Sequence, residues 1–142
     1  LTGDLEADWY ADASALLVRR EQRGRSTLHR VELDGRITDL PVPVRYELTR
    51  ITHEALTNIE RHAHARRVTV TLALTRRGRA VTLTVRDDGD GFTMPADLLT
   101  LQDLGHHGIV GMAERARTIG GTIEVATRPG RGTSVHVQVP LT

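Results

Sequence analysis

Apolar and polar positions alternate along Ala80-Val81-Thr82-Leu83-Thr84-Val85, the signature of a strand with one buried face. Val68–Leu74, Thr122–Ala126 and Ser134–Val139 also read as strands, the last ending at Pro140. Leu28-His29-Arg30-Val31-Glu32-Leu33 alternates before Asp34-Gly35, a turn pair. Elsewhere a three- and four-residue spacing takes over. Leu48, Ile51, Ala55 and Ile59 share one face of a helix predicted from about Val44 to Ala63, behind a connection punctuated by Pro41 and Pro43. A helix is expected from Leu5 to Gln22 on Leu5, Trp9, Leu16 and Leu17, with Gly24 beyond its end. Another runs from Ile109 to about Ile119, and Gly120-Gly121 suits its C-terminal cap. Phe92 to Gly105 has no clear period and is expected to be a mobile loop. The pattern is α+β, hairpin-linked strands covered by helices.

Length and composition narrow the function. The 142 residues read as a single domain, 1–142, with a core over 44–140 and an N-terminal helix and strand within 1–40. The chain opens on Leu1 rather than methionine, so a piece of a longer protein is expected. Cysteine is absent, which excludes disulfide frameworks and thiolate metal sites. No run of about 18 apolar residues and no charged-then-apolar leader occurs, so this domain is expected to make no membrane contact. All 19 basic residues are arginine. Without lysine there is no Walker lysine, and phosphate must be held by Arg, His, backbone amides or a metal. A net charge of +1 and one Trp, two Tyr and one Phe argue against a nucleic-acid module built on stacking platforms.

Three segments carry chemistry. On the second helix Glu54, Asn58 and His62 are each four apart and line one face. A carboxylate, an amide and an imidazole in a row can hold a hard cation, orient water and meet phosphate, or can be a solvated polar stripe. His53-Glu54 also opens a zinc-protease motif, but H-E-x-x-H needs a second histidine where Thr57 stands, so zinc is excluded. Asp87-Asp88-Gly89-Asp90-Gly91 follows the alternating strand. A carboxylate fixed there can accept a hydrogen bond from the amine of adenine, which guanine lacks at that position; a structural Asx turn asks for the same residues. Gly89 and Gly91 are read as letting the backbone pass a base without a Cβ. Gly105, Gly108 and Gly111 form a G-x-x-G-x-x-G series opening the last helix, whose N-terminal amides attract phosphate. Gly130-Arg131-Gly132-Thr133 before the last strand reads by itself as an ordinary hairpin turn.

In this order and spacing the segments resemble the nucleotide-binding boxes of the ATP-binding domain of sensor histidine kinases. Glu54-Ala55-Leu56-Thr57-Asn58 with Arg61-His62-Ala63 looks like the N box of the NarL-type branch. Asp87 to Gly91 matches D-[ND]-G-x-G with aspartate at the usual asparagine, and Gly108-Ile109-Val110-Gly111-Met112-Ala113-Glu114-Arg115-Ala116 followed by Gly120-Gly121 is that branch's characteristic run. The resemblance implies a GHKL (Bergerat) fold, a two-layer α/β sandwich with a mixed, mostly antiparallel sheet and helices on one face. It implies Mg²⁺ on Asn58, Glu54 as the catalytic residue orienting the metal's water shell, and Asp87 as the adenine reader. Thr133 helps bind adenine through a water, and His62, Gly89, Gly91, Gly105, Gly108, Ile109, Gly111 and Met112 complete the ATP site. Glu114 and Arg115 are expected to be structural or surface residues.

The implied reaction is transfer of the ATP γ-phosphoryl to a histidine. None of the seven histidines sits in an E-R-x-R-I-A-R-E-L-H-D-like acceptor helix. The chain is therefore expected to bind ATP without autophosphorylating, and to act on a dimerisation domain that serves a response regulator. The isolated domain is expected to be a monomer, cytoplasmic, within a homodimeric parent that the sequence leaves free to be membrane-anchored. An anti-sigma-factor serine kinase or a GHKL ATPase is the rival within the superfamily. A degenerate protein-interaction module is the rival outside it, opposed by the intact Glu54, Asn58, Asp87 and glycines.

Overall fold

A computed structural model describes residues 5–9, 15–22, 25–32, 40–75, 78–97, 100 and 107–141, the first three ranges as strand backbone. In chain order these are β1 (Leu5–Trp9), β2 (Ala15–Gln22), β3 (Arg25–Glu32), α1 (Val42–Asn58), β4 (Val68–Leu74), β5 (Ala80–Asp87), α2 (His107–Thr118), β6 (Thr122–Thr127) and β7 (Thr133–Pro140).

The helix expected from Leu5 to Gln22 does not form. Its residues make β1 and β2, which with β3 form a three-stranded antiparallel sheet. Trp9, Leu16 and Val31 fall opposite one another across the three strands. On a helix Leu5, Trp9 and Leu16 would share their face with Asp12, which breaks the apolar stripe. Gly24, read as a helix stop, lies between β2 and β3 and outside the described residues.

The core is a second antiparallel sheet of order β4-β5-β7-β6. The expected alternation sets its register: Leu72, Leu83 and Val137 pair across β4, β5 and β7, and Val70, Val85 and Val135 one step along. These residues turn to the helices, and Leu83, Val85, Val137 and Val139 are almost fully buried. Thr69, Thr71, Arg86, Glu124 and Gln138 lie exposed on the opposite face. Leu48, Ile51 and Ala55 of α1 and Met112 and Ala116 of α2 close the core from above. Both helices thus cover one sheet face, the two-layer α+β sandwich expected, and every described strand pairing is antiparallel.

Pro43 falls in the first turn of α1, where a missing N–H costs nothing. Its other end is unusual: from Ile59 to Ala63 the chain continues as one turn of π-helix, closed by His64 in the left-handed region at φ 49°. Arg115 of α2 reaches Glu47 of α1 at 3.4 Å, the structural use expected of it. After α2, Gly120 at φ 70° ends the helix, the Gly121 N–H donating to Ala116 O at 2.8 Å and the Gly120 N–H to Arg117 O at 3.0 Å. This is the Schellman arrangement that Gly-Gly predicted. Among the described residues no helix is long and apolar enough to cross a membrane.

Candidate functional site

A cavity of about 240 Å³ opens between the C-terminal half of α1, the first turns of α2 and the ends of β5, β6 and β7. Its floor is apolar, from Ala55, Val85, Met112, Val125 and Val135, with a few polar groups at defined points. This is the usual make-up of a small-molecule site.

Asp87 supplies the sharpest of these points. Its side chain is 3% exposed at the end of β5. Oδ1 accepts the Gly89 N–H at 2.8 Å, so the Asx turn does form. Oδ2 is buried without a hydrogen-bond partner, and Asp87 is part of the cavity lining. A buried polar atom left unpaired costs about 1–3 kcal/mol, which a donor on a ligand would recover. Turn and ligand site are therefore compatible, each using one oxygen.

The loop after Asp87 is held by backbone from distant segments. The Asp90 N–H donates to Ala63 O at 2.7 Å, and the Gly130 N–H donates to Asp90 O at 2.6 Å. His64 Nδ1 meets Asp90 Oδ2 at 2.8 Å. Asp88 Oδ1 accepts the N–H groups of Arg67 and Arg66 at 2.8 and 2.9 Å. Those amides, Arg67's first, hold its carboxyl below the ordinary carboxylate value. Asp88 thus ties the loop to the connection before β4 rather than facing the cavity. The two glycines also serve a purpose other than the expected one. A Cβ on Gly89 would strike the Ala63 carbonyl, and one on Gly91, at φ 60°, the Arg128 carbonyl. It is the protein's own backbone that excludes a side chain there, although Gly91 does line the cavity.

Across the cavity Glu54 and Asn58 are one α-helical turn apart and converge on Gly108 at the start of α2. A Cβ on Gly108 would collide with Glu54 Oε1 and sit 2.8 Å from Asn58 Nδ2 and 3.2 Å from Asn58 Oδ1. Asn58 lines the cavity, and Glu54 stands just outside the lining. The expected stripe changes at this point, because the π turn alters the spacing after Asn58 so that His62 is no longer directly above it. His62 nevertheless reaches the cavity edge, exposed to solvent. An amide oxygen beside a carboxylate suits a hard cation that keeps water and phosphate as its remaining ligands. Among the described residues no group of three or more His, Cys, Asp or Glu could hold a metal alone. The donors present therefore fit Mg²⁺ carried in with a phosphate ligand, and not an all-protein cage.

Gly108, Ile109, Met112 and Thr133 line the cavity as expected. Gly111 does not line it, and a Cβ there would meet open space. Gly105 and half of the loop expected from Phe92 to Gly105 (98, 99 and 101–105) lie outside the described residues. Sequence reasoning missed Phe92 and the floor residues Val125 and Val135. Phe92, the chain's one phenylalanine, directly follows the glycine loop and could have been noticed.

Residues 44–142 match the family described as histidine kinase-, DNA gyrase B- and HSP90-like ATPases. The chain belongs to this ATPase family. The sensor histidine kinase LiaS of Bacillus subtilis is 38% identical over 111 residues, 78% of this chain and 29% of that protein. The sensor protein VraS of Staphylococcus aureus is 36% identical over 107 residues, 74% of this chain and 29% of that one. The chain thus spans less than a third of the length of these curated relatives. A histidine kinase domain from the blue-light activated kinase of Erythrobacter litoralis superposes with a TM-score of 0.58 at 28% identity, over 78% of this chain and 50% of that one. The ATP-binding domain of PrrB from Mycobacterium tuberculosis gives 0.51 at 19% identity, over 83% and 75%, a likeness of fold. As a member of this ATPase family the domain uses ATP.

Proposed function

We propose that this domain binds Mg-ATP in the cavity between α1 and α2 and presents the γ-phosphoryl to a histidine on a separate helical dimerisation domain, for relay to a response regulator. The observation that carries the reading is Asp87, a buried residue in the lining of a largely apolar cavity, whose Oδ2 has no hydrogen-bond partner. Such an atom calls for a hydrogen-bond donor on a flat apolar ligand, which is what the amine edge of adenine offers. Thr133 assists on the same wall. Gly108 and Ile109 bring the first amides of α2 to the phosphates, with the helix dipole behind them, and His62 lies on the open side. Asn58 would hold Mg²⁺ through its amide oxygen, with Glu54 orienting the water around it. When bound, the metal neutralises phosphate charge and fixes phosphate geometry.

The relatives' names, a sensor histidine kinase and a sensor protein, support the phosphotransfer. The run from Gly108 to Ala116 supports the NarL-type branch. We infer one ATP-binding unit over residues 1–142, monomeric alone and cytoplasmic, in a homodimeric parent. Equilibrium titration with ATP, ADP and GTP, with and without Mg²⁺, tests the site. ATP should bind, GTP should not compete, and Mg²⁺ should tighten ATP. Asn58→Ala should abolish the magnesium effect while retaining much of the metal-free affinity. A parent that binds GTP as well as ATP would refute the base assignment.

A further inference from the structure

Thr127, the last residue of β6, stands opposite Thr133, the first of β7. Its hydroxyl makes three contacts. The Phe92 N–H donates to Thr127 Oγ1 at 3.0 Å, the Gly132 carbonyl lies 3.2 Å away, and Thr133 Oγ1 lies 3.0 Å away. A hydroxyl has one proton and two accepting lone pairs. The amide can only donate, so it takes one lone pair. The carbonyl can only accept, so it takes the proton. A single lone pair remains, and all three contacts are hydrogen bonds only if the Thr133 hydroxyl donates into it. The Thr133 proton is then directed into the hairpin, so toward any ligand in the cavity that Thr133 lines, its hydroxyl can only accept. The neighbouring Asp87 Oδ2 is also an acceptor. Gly132, at φ 72°, locks the arrangement, because a Cβ there would strike the Asp87 carbonyl.

We propose that Thr127, which does not line the cavity, is a positioning residue that sets the hydrogen-bond polarity of the base-reading wall. By engaging the Thr133 proton it leaves only acceptors facing the base. The wall then accepts the 6-amino edge of a purine and opposes a 6-oxo edge. Without the Thr127 hydroxyl, Thr133 can turn its proton into the cavity and meet a carbonyl. The proposal rests on the cavity being the ATP site.

The test compares the affinities of ATP and inosine triphosphate for the parent chain, Thr127→Val and Thr127→Ser. The parent should favour ATP. Thr127→Val should narrow the ratio about five- to tenfold, the scale of one neutral hydrogen bond, and Thr127→Ser, which keeps the hydroxyl, should restore it. Thr133→Val should narrow the ratio as well, and the double variant no further. The ratio is taken within each variant, so a reduced folded fraction cancels, and general loosening of the hairpin would lower both affinities in parallel. An unchanged or wider ratio in Thr127→Val, with the parent still favouring ATP, overturns the proposal and leaves the ATP site standing. Binding of neither nucleotide by the parent overturns both.

Discussion

Of the two oxygens of Asp87, one accepts the Gly89 amide and the other, buried without a partner, is the one proposed to meet adenine. Asp87→Asn keeps the first role and reverses the second, since an amide nitrogen would then oppose the adenine amine. A hydrogen bond to a charged group is worth about 1.5–3 kcal/mol, so ATP affinity should fall roughly ten- to a hundredfold. Calorimetry should detect the loss with the melting temperature nearly unchanged; equal affinities would remove Asp87 from base recognition. Asp88, one residue on, acts on the fold. Its carboxyl is held below the ordinary value by the amides of Arg67 and Arg66. A depressed folded pKa means stability that is fully present above the unfolded value of about 3.9 and lost as pH falls through the folded one. Asp88→Asn should therefore melt lower than the parent at pH 6, and the gap should close as pH is taken below 4. A gap that persists in acid would show that the carboxylate charge is not responsible.

Glycines at the element ends separate two demands that a sequence motif cannot. Gly120 and Gly132 both have positive φ, 70° and 72°, but only Gly132 is pressed by backbone, the carbonyl of Asp87. Gly120→Ala should cost only the left-handed penalty of about 1–2 kcal/mol. Gly132→Ala should cost at least about 2 kcal/mol more, because the β6–β7 hairpin must move off β5. At roughly 4 °C per kcal/mol, thermal melts resolve the two. The same contrast marks what the sequence made legible. β4 to β7 could be read from alternating Val, Leu and Thr, and α1 from Leu48, Ile51 and Ala55, because each pattern is local. The helix expected from Leu5 to Gln22 failed because Trp9, Leu16 and Val31 are brought together only by pairing three strands. The π turn after Asn58 shifts hydrogen bonds by one residue and leaves no mark in composition. The approach of Ala63 to Gly89 and of Arg128 to Gly91 is not legible in sequence, since tertiary packing alone brings them there. The contact of Thr127 with the Phe92 amide is hidden for the same reason.

At the scale of the whole molecule, Mg-ATP held as proposed in the cavity beside Asn58 and Glu54 would still need a phosphoryl acceptor, and no histidine of the chain lies in an acceptor-like sequence. His62 follows α1 at the cavity edge, His64 is bonded to Asp90, and His136 is on the far face of the sheet, bonded to Thr84 at 2.9 Å. Positioning and electrostatics supply most of the catalysis in phosphoryl transfer, so under the proposed function another domain brings the acceptor to the nucleotide. Mixed with the helical dimerisation domain of its parent and γ-labelled ATP, this chain should transfer label to that partner. By itself it should show at most slow hydrolysis, through a water oriented by Glu54. The label should be lost in acid and kept in alkali, as a phosphoryl–imidazole bond requires. Acid-stable label on the partner would indicate a hydroxyl acceptor and a serine kinase instead. Stoichiometric acid-labile label on the isolated chain would place the acceptor among its own histidines, and His62, at the edge of the cavity, would be the first to substitute.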